Sequence, residues 1–203
     1  MSDSLKTYLD SHPAHHETTE TWPVQGQLRV RLCLGSTLPP AEVSSSILAI
    51  VVNSCQQVLF LHPSTPNGSI AHVLIGGRPE PGEKPEQTIV REVGEETGWQ
   101  IEPGRMIGFR HFFHLEPRSD RTDRPYPDFI QPIFAASAVA YNANLALPDD
   151  LIPAQFIDIE IAQGLIEAAQ CRLLRAAAFF SKHGLTSGGI NQSPHPANRG
   201  IGT

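Results

Sequence analysis

One stretch, residues 76–101, constrains this chain more than any other. It reads GGRPEPGEKPEQTIVREVGEETGWQI and joins a glycine-rich turn to a short helix. Pro85 suits the first turn of a helix, where its missing N–H costs little, and Gly98 suits a left-handed helix end. The pattern predicts a helix over residues 86–97. The side chains predicted to form its buried side are Ile89, Val90 and Val93.

Three carboxylates are concentrated near the end of this helix. Glu92, Glu95 and Glu96 are spaced i, i+3, i+4, which places them on one face. The helix C-terminus is already negative, and each like-charge neighbour costs roughly 0.2–0.5 kcal/mol. Arg91 offsets part of this charge by pairing with Glu95 or with a carboxylate of the preceding loop. The negative charge that Arg91 does not offset indicates a hard divalent cation held by oxygen ligands, and Mg²⁺ is the usual cation in sites that combine carboxylates with phosphates.

The glycines of the turn have a separate role. Gly76 and Gly77 let the backbone approach a ligand closely. Gly82 permits a sharp turn that brings Glu83 back toward the helix. The remaining acids of the stretch, Glu80 and Glu86, are predicted to be solvated.

The stretch resembles the signature of the Nudix hydrolase family, G-x5-E-x7-R-E-U-x-E-E-x-G-U, where U is a bulky apolar residue. The matching positions are Gly77, Glu83, Arg91, Glu92, Val93, Glu95, Glu96, Gly98 and Trp99. The resemblance implies an α/β fold, the α/β/α sandwich with a mixed sheet between helices, over about residues 28–182. Trp99 is bulkier than the usual aliphatic residue at its position.

The resemblance also implies roles for individual residues. The implied metal ligands are Glu92, Glu95, Glu96, Gly76 through its carbonyl, and Glu83. The implied catalytic residues are Glu95, Glu92 and Arg91, with Arg91 orienting the glutamates. The implied reaction is hydrolysis of a diphosphate bond in a nucleoside diphosphate linked to another group. It depends on Mg²⁺, with Mn²⁺ as the alternative metal.

The substrate is less closely defined. We predict that Arg78, Arg110 and Tyr126 contact a nucleotide-type small molecule. Nucleoside triphosphates and nucleotide sugars both remain open. A non-catalytic Nudix-type domain that binds or senses a nucleotide is the alternative function, although no signature glutamate has been lost.

The general base is also left open between a signature glutamate and an acid outside the signature. The outside candidates are Glu116, Asp120, Asp123 and Asp128, for each of which a solvated loop position is the favoured interpretation. They belong to the polar segment 116–128, which is long enough to cover a site. His111 and His114 are three residues apart in a strand and therefore face opposite sides, so a structural role is favoured for both.

Bulk properties exclude some classes of protein. The formal net charge is −6, which argues against binding to nucleic-acid backbones. We found no run long enough for a membrane span and no signal peptide at the N-terminus, and we expect a cytoplasmic protein. Three scattered cysteines without a CxxC pair make a zinc site or a disulfide framework improbable.

The domain division is predicted from patterning. Residues 1–26 are assigned to an N-terminal extension, 27–184 to the Nudix hydrolase domain and 185–203 to a tail without a core. The histidine-rich segment HPAHHETTE is interpreted as a solvated linker after a short helix over residues 4–11. The strand at residues 27–34 is expected either to complete the sheet or to pair across a homodimer.

The remaining elements follow from periodicity. Strands are predicted at residues 46–52 and 58–62 as a hairpin, and at 70–75, 105–115, 129–141 and 155–160. The last element is predicted as one long helix over residues 161–182. Its apolar face would comprise Leu165, Ala169, Leu173, Ala176 and Phe180.

Overall fold

A mixed sheet forms the middle layer of the molecule. The computed structural model describes residues 2–63, 72–118, 120, 124–148, 152–166 and 170–183. The strands in these ranges are β1 Ala14–Trp22, β2 Gly26–Leu34, β3 Ile47–Val52, β4 Gln57–Leu61, β5 Ile75–Gly77, β6 Trp99–His114, β7 Asp128–Tyr141 and β8 Ala154–Asp158. The helices are α1 Asp3–Asp10, α2 Pro85–Thr97, α3 Ile159–Leu165 and α4 Cys171–His183.

The strands lie in the order β1-β2-β6-β7-β3-β4-β8, and β5 pairs with β3 outside this path. The β3–β7 pair is parallel. The other pairs between these strands are antiparallel. The sheet is therefore mixed, as predicted. The predicted hairpin is confirmed, with Val52 opposite Val58.

Helices cover both faces of the sheet. On one face, Leu5 and Tyr8 of α1 and Ile89 and Val93 of α2 belong to one buried apolar cluster. On the other face, α3 contributes Ala162 and α4 contributes Leu173, Leu174 and Ala177 to a second cluster. The predicted α/β/α sandwich is confirmed. Within the described ranges, no helix combines the length and the apolar character needed to cross a bilayer.

Local signals fix both ends of α2. The Lys84 backbone N–H donates to Gln87 Oε1 at 2.9 Å, and Gly98 ends the helix with φ +73°. The prediction that Val90 lies on the buried side is wrong, because its side chain is 40% exposed. Ile89 and Val93 are four residues apart and share one face, whereas Val90 is turned about 100° from Ile89.

The interpretation of the histidine-rich segment as a solvated linker is also wrong. Residues 14–22 form β1, which pairs along its length with β2 from Ala14 opposite Cys33 to Trp22 opposite Gly26. An edge strand needs a partner on one side only, so its sequence can be polar on much of both faces. The preceding helix α1 is confirmed.

Two other predictions for strands were resolved by the sheet. The strand predicted at 27–34 has β1 on one side and β6 on the other, so it completes the sheet. Pairing of this strand across a dimer is therefore wrong, since both of its edges are occupied. Of the strand predicted at 70–75, residues 70 and 71 lie outside the described residues, and β5 begins at Ile75.

The prediction of a single long C-terminal helix is wrong as well. Two helices are present, and Ile166 is extended with φ −116° and ψ 166° at the end of α3. Leu165 is 42% exposed, whereas Leu173 is buried. Apolar spacing could not reveal the break, because the two helices carry apolar residues that happen to continue one period. Ala169 and the tail 185–203 lie outside the described residues.

Replacing Gly76 by alanine is expected to destabilise the protein by roughly 1–3 kcal/mol, because the added methyl overpacks the β3–β5 contact. A Cβ at Gly76 would lie 2.1 Å from the Ile47 carbonyl oxygen and 2.8 Å from Leu48 Cα, which are backbone atoms. Gly82→Ala is the matched control: it has φ +87° with nothing within 4 Å, so it carries only the cost of a positive φ, about 1 kcal/mol. Urea unfolding measures both, and equal losses would contradict the packing argument.

Candidate active site

Arg91 lies at the centre of the acidic stretch and joins the turn to the helix. Its Nε donates to Glu83 Oε1 at 2.8 Å. Its Nη1 donates to Glu92 Oε1 at 2.8 Å and to Glu95 Oε2 at 3.0 Å. Its Nη2 donates to the Arg78 carbonyl at 2.9 Å. The prediction that Arg91 pairs with Glu95 or with a loop carboxylate is confirmed, and both occur together.

Glu83 is held back toward the helix, as its position after Gly82 predicts. Besides the bonds from Arg91, its Oε2 accepts the Glu80 backbone N–H at 2.9 Å and the Thr88 hydroxyl at 3.0 Å. The hydrogen bonds from Arg91, followed by the one from the Glu80 backbone, lower the pKa of Glu83 to about 2. Glu83 is therefore anionic at neutral pH, with its orientation fixed by several donors.

Glu92 lies directly against the glycine turn. A Cβ built at Gly77 would lie 2.0 Å from Glu92 Oε1 and 2.1 Å from its Cδ. The absence of a side chain at Gly77 is what lets this carboxylate reach the turn. Burial raises the pKa of Glu92, and the hydrogen bond from Arg91 opposes that shift. A positive charge near Glu92 would offset the cost of keeping it ionised in this position.

Charge also explains the state of Arg91. Its hydrogen bond to Glu83, together with those to Glu95 and Glu92, raises its pKa above the ordinary range, although burial opposes this. One permanent cation thus faces three carboxylates, at Glu83, Glu92 and Glu95. These four side chains carry more negative than positive charge.

The donor set fits a divalent cation. Carboxylate oxygens are the ligands that Mg²⁺ and Mn²⁺ prefer, and the excess negative charge favours one. Among the described residues, no three His, Cys, Asp or Glu side chains are already arranged around a common metal position. The reason is visible in the geometry: Glu92 and Glu95 turn their oxygens to the same guanidinium nitrogen. Rotation of these side chains away from Arg91 would free oxygens for a metal.

A cavity of about 550 Å³ opens beside the turn. Arg78 and Glu83 line it from the acidic stretch, and Ser45 and Arg124 line it from the ends of neighbouring loops. Arg124 Nη1 donates to Ser45 Oγ at 2.9 Å. The sequence analysis missed Arg124. Its only signal was a cationic residue in the polar segment that was predicted to cover the site.

Arg110 lies elsewhere, on the face of the sheet opposite α2. It lines a cleft of about 290 Å³ together with Trp22, Gln131 and Leu48. Its Nη2 donates to Glu20 Oε1 at 2.6 Å. The sequence analysis missed Glu20 and Trp22, because β1 was interpreted as a linker there.

Two further predicted groups lie outside these cavities. Tyr126 is 42% exposed, and its ring lies 5.2 Å from that of His114. Asp128, expected in a solvated loop, is instead buried, and its Oδ1 accepts a hydrogen bond from His111 Nε2 at 2.8 Å. It opens β7, so the sheet buries it. His111 and His114 contact different partners, as residues on opposite faces of a strand must.

The sequence matches a protein-family model over a range that includes the acidic stretch. The family model for the NUDIX domain matches residues 44–176, which is more than half of the chain. No curated protein matches the sequence.

Solved structures show the same fold. A NUDIX hydrolase from Nitrosomonas europaea is 19% identical, with a TM-score of 0.50, over 66% of this chain and 88% of that one. A mutant of the pyrophosphohydrolase BsRppH from Bacillus subtilis is 13% identical, with a TM-score of 0.50, over 85% of this chain and 98% of that one. With its matched domain and its full signature, the chain belongs to the Nudix hydrolase family.

Proposed function

We propose that the enzyme hydrolyses a diphosphate bond in a nucleoside diphosphate linked to another group, with Mg²⁺ as its cofactor and Mn²⁺ as the alternative. Nucleoside triphosphates and nucleotide sugars are the substrate types. The observation that carries the proposal is the convergence of Glu83, Glu92 and Glu95 on Arg91 beside Gly76 and Gly77, which form the end of β5. We expect the enzyme to be cytoplasmic and its substrate to be a small molecule in solution.

The metal would be held by carboxylates of α2 and by the turn. The proposed ligands are Glu92, Glu95, Glu96, Gly76 through its carbonyl, and Glu83. When bound, the metal lowers the pKa of a coordinated water and offsets charge on the diphosphate oxygens. Glu83 already accepts bonds from Glu80, Thr88 and Arg91, so its larger contribution is to hold Arg91 in position.

The chain's own side chains supply the remaining requirements. Arg91 keeps Glu92 and Glu95 close together despite their like charges. One of these two carboxylates takes the proton from the attacking water. Water adds to phosphorus, and the bond from phosphorus to the bridging oxygen breaks, which gives two phosphorylated products. Asp128 is excluded as this base by its burial against His111.

The cavity beside the turn has the charge to hold the diphosphate. Arg78 lines it and is exposed at the surface, so its guanidinium can approach phosphate oxygens, which arginine binds in a bidentate manner. Arg124 adds a second positive charge on the opposite wall. Arg110 and Tyr126 are the other proposed substrate contacts. The exposed ring of Tyr126 leaves a face available for stacking.

Replacing Glu95 by glutamine should lower kcat by on the order of 10²–10⁴-fold, because the variant loses a carboxylate that is both a proposed metal ligand and a candidate general base. The assay is release of phosphate or nucleotide from a panel of nucleoside triphosphates and nucleotide sugars, in MgCl₂ and in EDTA. Glu80→Gln is the matched control, since that side chain is exposed in the same stretch, and it should retain wild-type kcat. Wild-type turnover by Glu95→Gln, or undiminished turnover in EDTA, would contradict the proposal.

Replacing Arg91 by glutamine should destabilise the metal-free protein by roughly 1–3 kcal/mol, because three carboxylates lose their shared charged donor. Added MgCl₂ should raise the Tm of this variant by more than that of the wild type, since the variant has more uncompensated negative charge.

The control for this experiment is Arg31→Gln, which removes a single, more exposed ion pair with Glu17 and should cost less than about 1 kcal/mol. Thermal unfolding in EDTA and in MgCl₂ measures both effects. An equal response of the Arg91 variant and the wild type to Mg²⁺ would show that the cation does not bind at these carboxylates.

A further inference from the structure

We propose that Glu20 and Trp22, both on β1, are specificity-determining residues that form one wall of a nucleobase site on the sheet face opposite α2. The inference rests on the proposed function, because it concerns the nucleoside half of that substrate. Strand β1 precedes residue 44, where the family match begins. The wall is therefore a feature of this chain's own N-terminal segment.

The site is the cleft that Arg110 lines. It has a volume of about 290 Å³, and its walls come from four strands, from residues 72–74 before β5, and from the start of α4 with the residue before it. The residues that line the cleft include Trp22, Leu48, Arg110, Gln131 and Gln170. Its size and its mixture of apolar and polar groups suit a small planar ligand.

Trp22 presents a ring whose orientation is fixed. Its Nε1 donates to Glu20 Oε2 at 2.8 Å. Its ring packs edge-on against Phe112, with centroids 5.0 Å apart. The Arg124 guanidinium also lies 5.6 Å from the centre of the Trp22 ring. Because these neighbours and the N–H bond hold the indole in place, the part of its surface that lines the cleft is a rigid aromatic surface. Aromatic surfaces of this kind stack on nucleobases.

Glu20 fixes Arg110 at the same time. Glu20 Oε1 accepts from Arg110 Nη2 at 2.6 Å, and both side chains are about one-fifth exposed. The Arg110 guanidinium also lies 4.8 Å from the centre of the Phe112 ring. Glu20 thus orients the indole with one oxygen and the guanidinium with the other. It is a positioning residue, whereas Trp22 and Arg110 would contact the ligand.

A hydrogen-bond acceptor stands beside these donors. Gln131 lies opposite Arg110 in the β6–β7 register, and its Nε2 donates to Ser46 Oγ at 2.7 Å. Its Oε1 is buried and has no hydrogen-bond partner among the described residues. A buried acceptor without a partner is costly. Nucleobases carry neighbouring donors and acceptors on one edge and a flat face, which complement Gln131, Arg110 and Trp22.

The cleft is also close to the acidic stretch. Leu48 lines the cleft and stands opposite Gly76 in the β3–β5 pair. Neighbouring strands are about 4.8 Å apart. A nucleotide with its base between Trp22 and Gln131 would therefore extend its phosphates toward the Gly76–Gly77 turn.

A binding experiment tests the site without catalysis. The chain has two tryptophans, so Trp99→Phe leaves Trp22 as the sole tryptophan, whose emission can be excited selectively over that of tyrosine. In EDTA, this variant is titrated with AMP, GMP, CMP and UMP, and with ribose 5-phosphate as the ligand that lacks a base. At least one nucleotide should quench the emission with saturation, and ribose 5-phosphate should not. An unchanged emission with all four nucleotides, or equal quenching by ribose 5-phosphate, would overturn the proposal.

A kinetic experiment then assigns the two residues. Trp22→Leu should raise KM for nucleotide substrates about ten-fold or more, with kcat within about three-fold, while Trp22→Phe should restore much of the affinity. Glu20→Gln should also raise KM and alter the ranking of the four bases. None of these three variants should alter KM for 5-phosphoribosyl diphosphate, which has no base. Unchanged KM values for nucleotides would overturn the assignment.

Glu17→Gln is the matched control for Glu20→Gln. Glu17 lies on the same strand, on its opposite face, and is paired with Arg31 at 2.6 Å. The Glu17→Gln variant should leave KM and the ranking of the bases unchanged. If it changes them as much as Glu20→Gln does, the effect comes from the stability of β1 and the proposal is overturned. If the wild type hydrolyses no substrate of the panel, the proposed function fails, and the fluorescence titration still decides whether a base occupies the cleft.

Discussion

The ion-pair cluster around Arg91 is the interaction on which the rest of the active site depends. One guanidinium binds Glu83 from the loop and Glu92 and Glu95 from α2. It thereby ties the glycine turn to the helix and offsets the repulsion among carboxylates that a metal site requires. Because Glu92 reaches the turn only where Gly77 has no side chain, the helix, the loop and β5 have to be in register for the cluster to form.

The sheet separates the chemistry from the proposed recognition. The acidic cluster belongs to the face that α2 covers, and the cleft at Arg110 lies on the other. Leu48 lines the cleft and pairs with Gly76, so β3 borders both sites. The side chains proposed to contact the base, Trp22, Arg110 and Gln131, lie on β1, β6 and β7, and none of the three is a signature residue. Recognition of the base can therefore vary while the hydrolytic residues stay in place.

Prediction from sequence worked where the determinants are local. The bounds of α2 follow from Pro85 and Gly98, and the pairing of Arg91 follows from helix spacing. It failed where an element depends on a distant partner. The polar strand β1 is stabilised by its pairing with β2. Asp128 is buried because it is the first residue of β7, which lies in the interior of the sheet. The break between α3 and α4 lies at an extended Ile166; Gly164 precedes it, but a single glycine within an apolar helical pattern is not enough to predict a break.

The sequence by itself determined the family, the candidate hydrolytic residues and the layered fold, because the signature places charges and glycines at fixed spacings along one helix and the segment before it. Only the tertiary structure decided which residues accompany them. Glu20 and Arg110 are ninety positions apart, and Arg124 meets Ser45 across a similar interval. Such contacts form because strands distant in sequence are neighbours in the sheet, and that order is set by the packing of the whole domain.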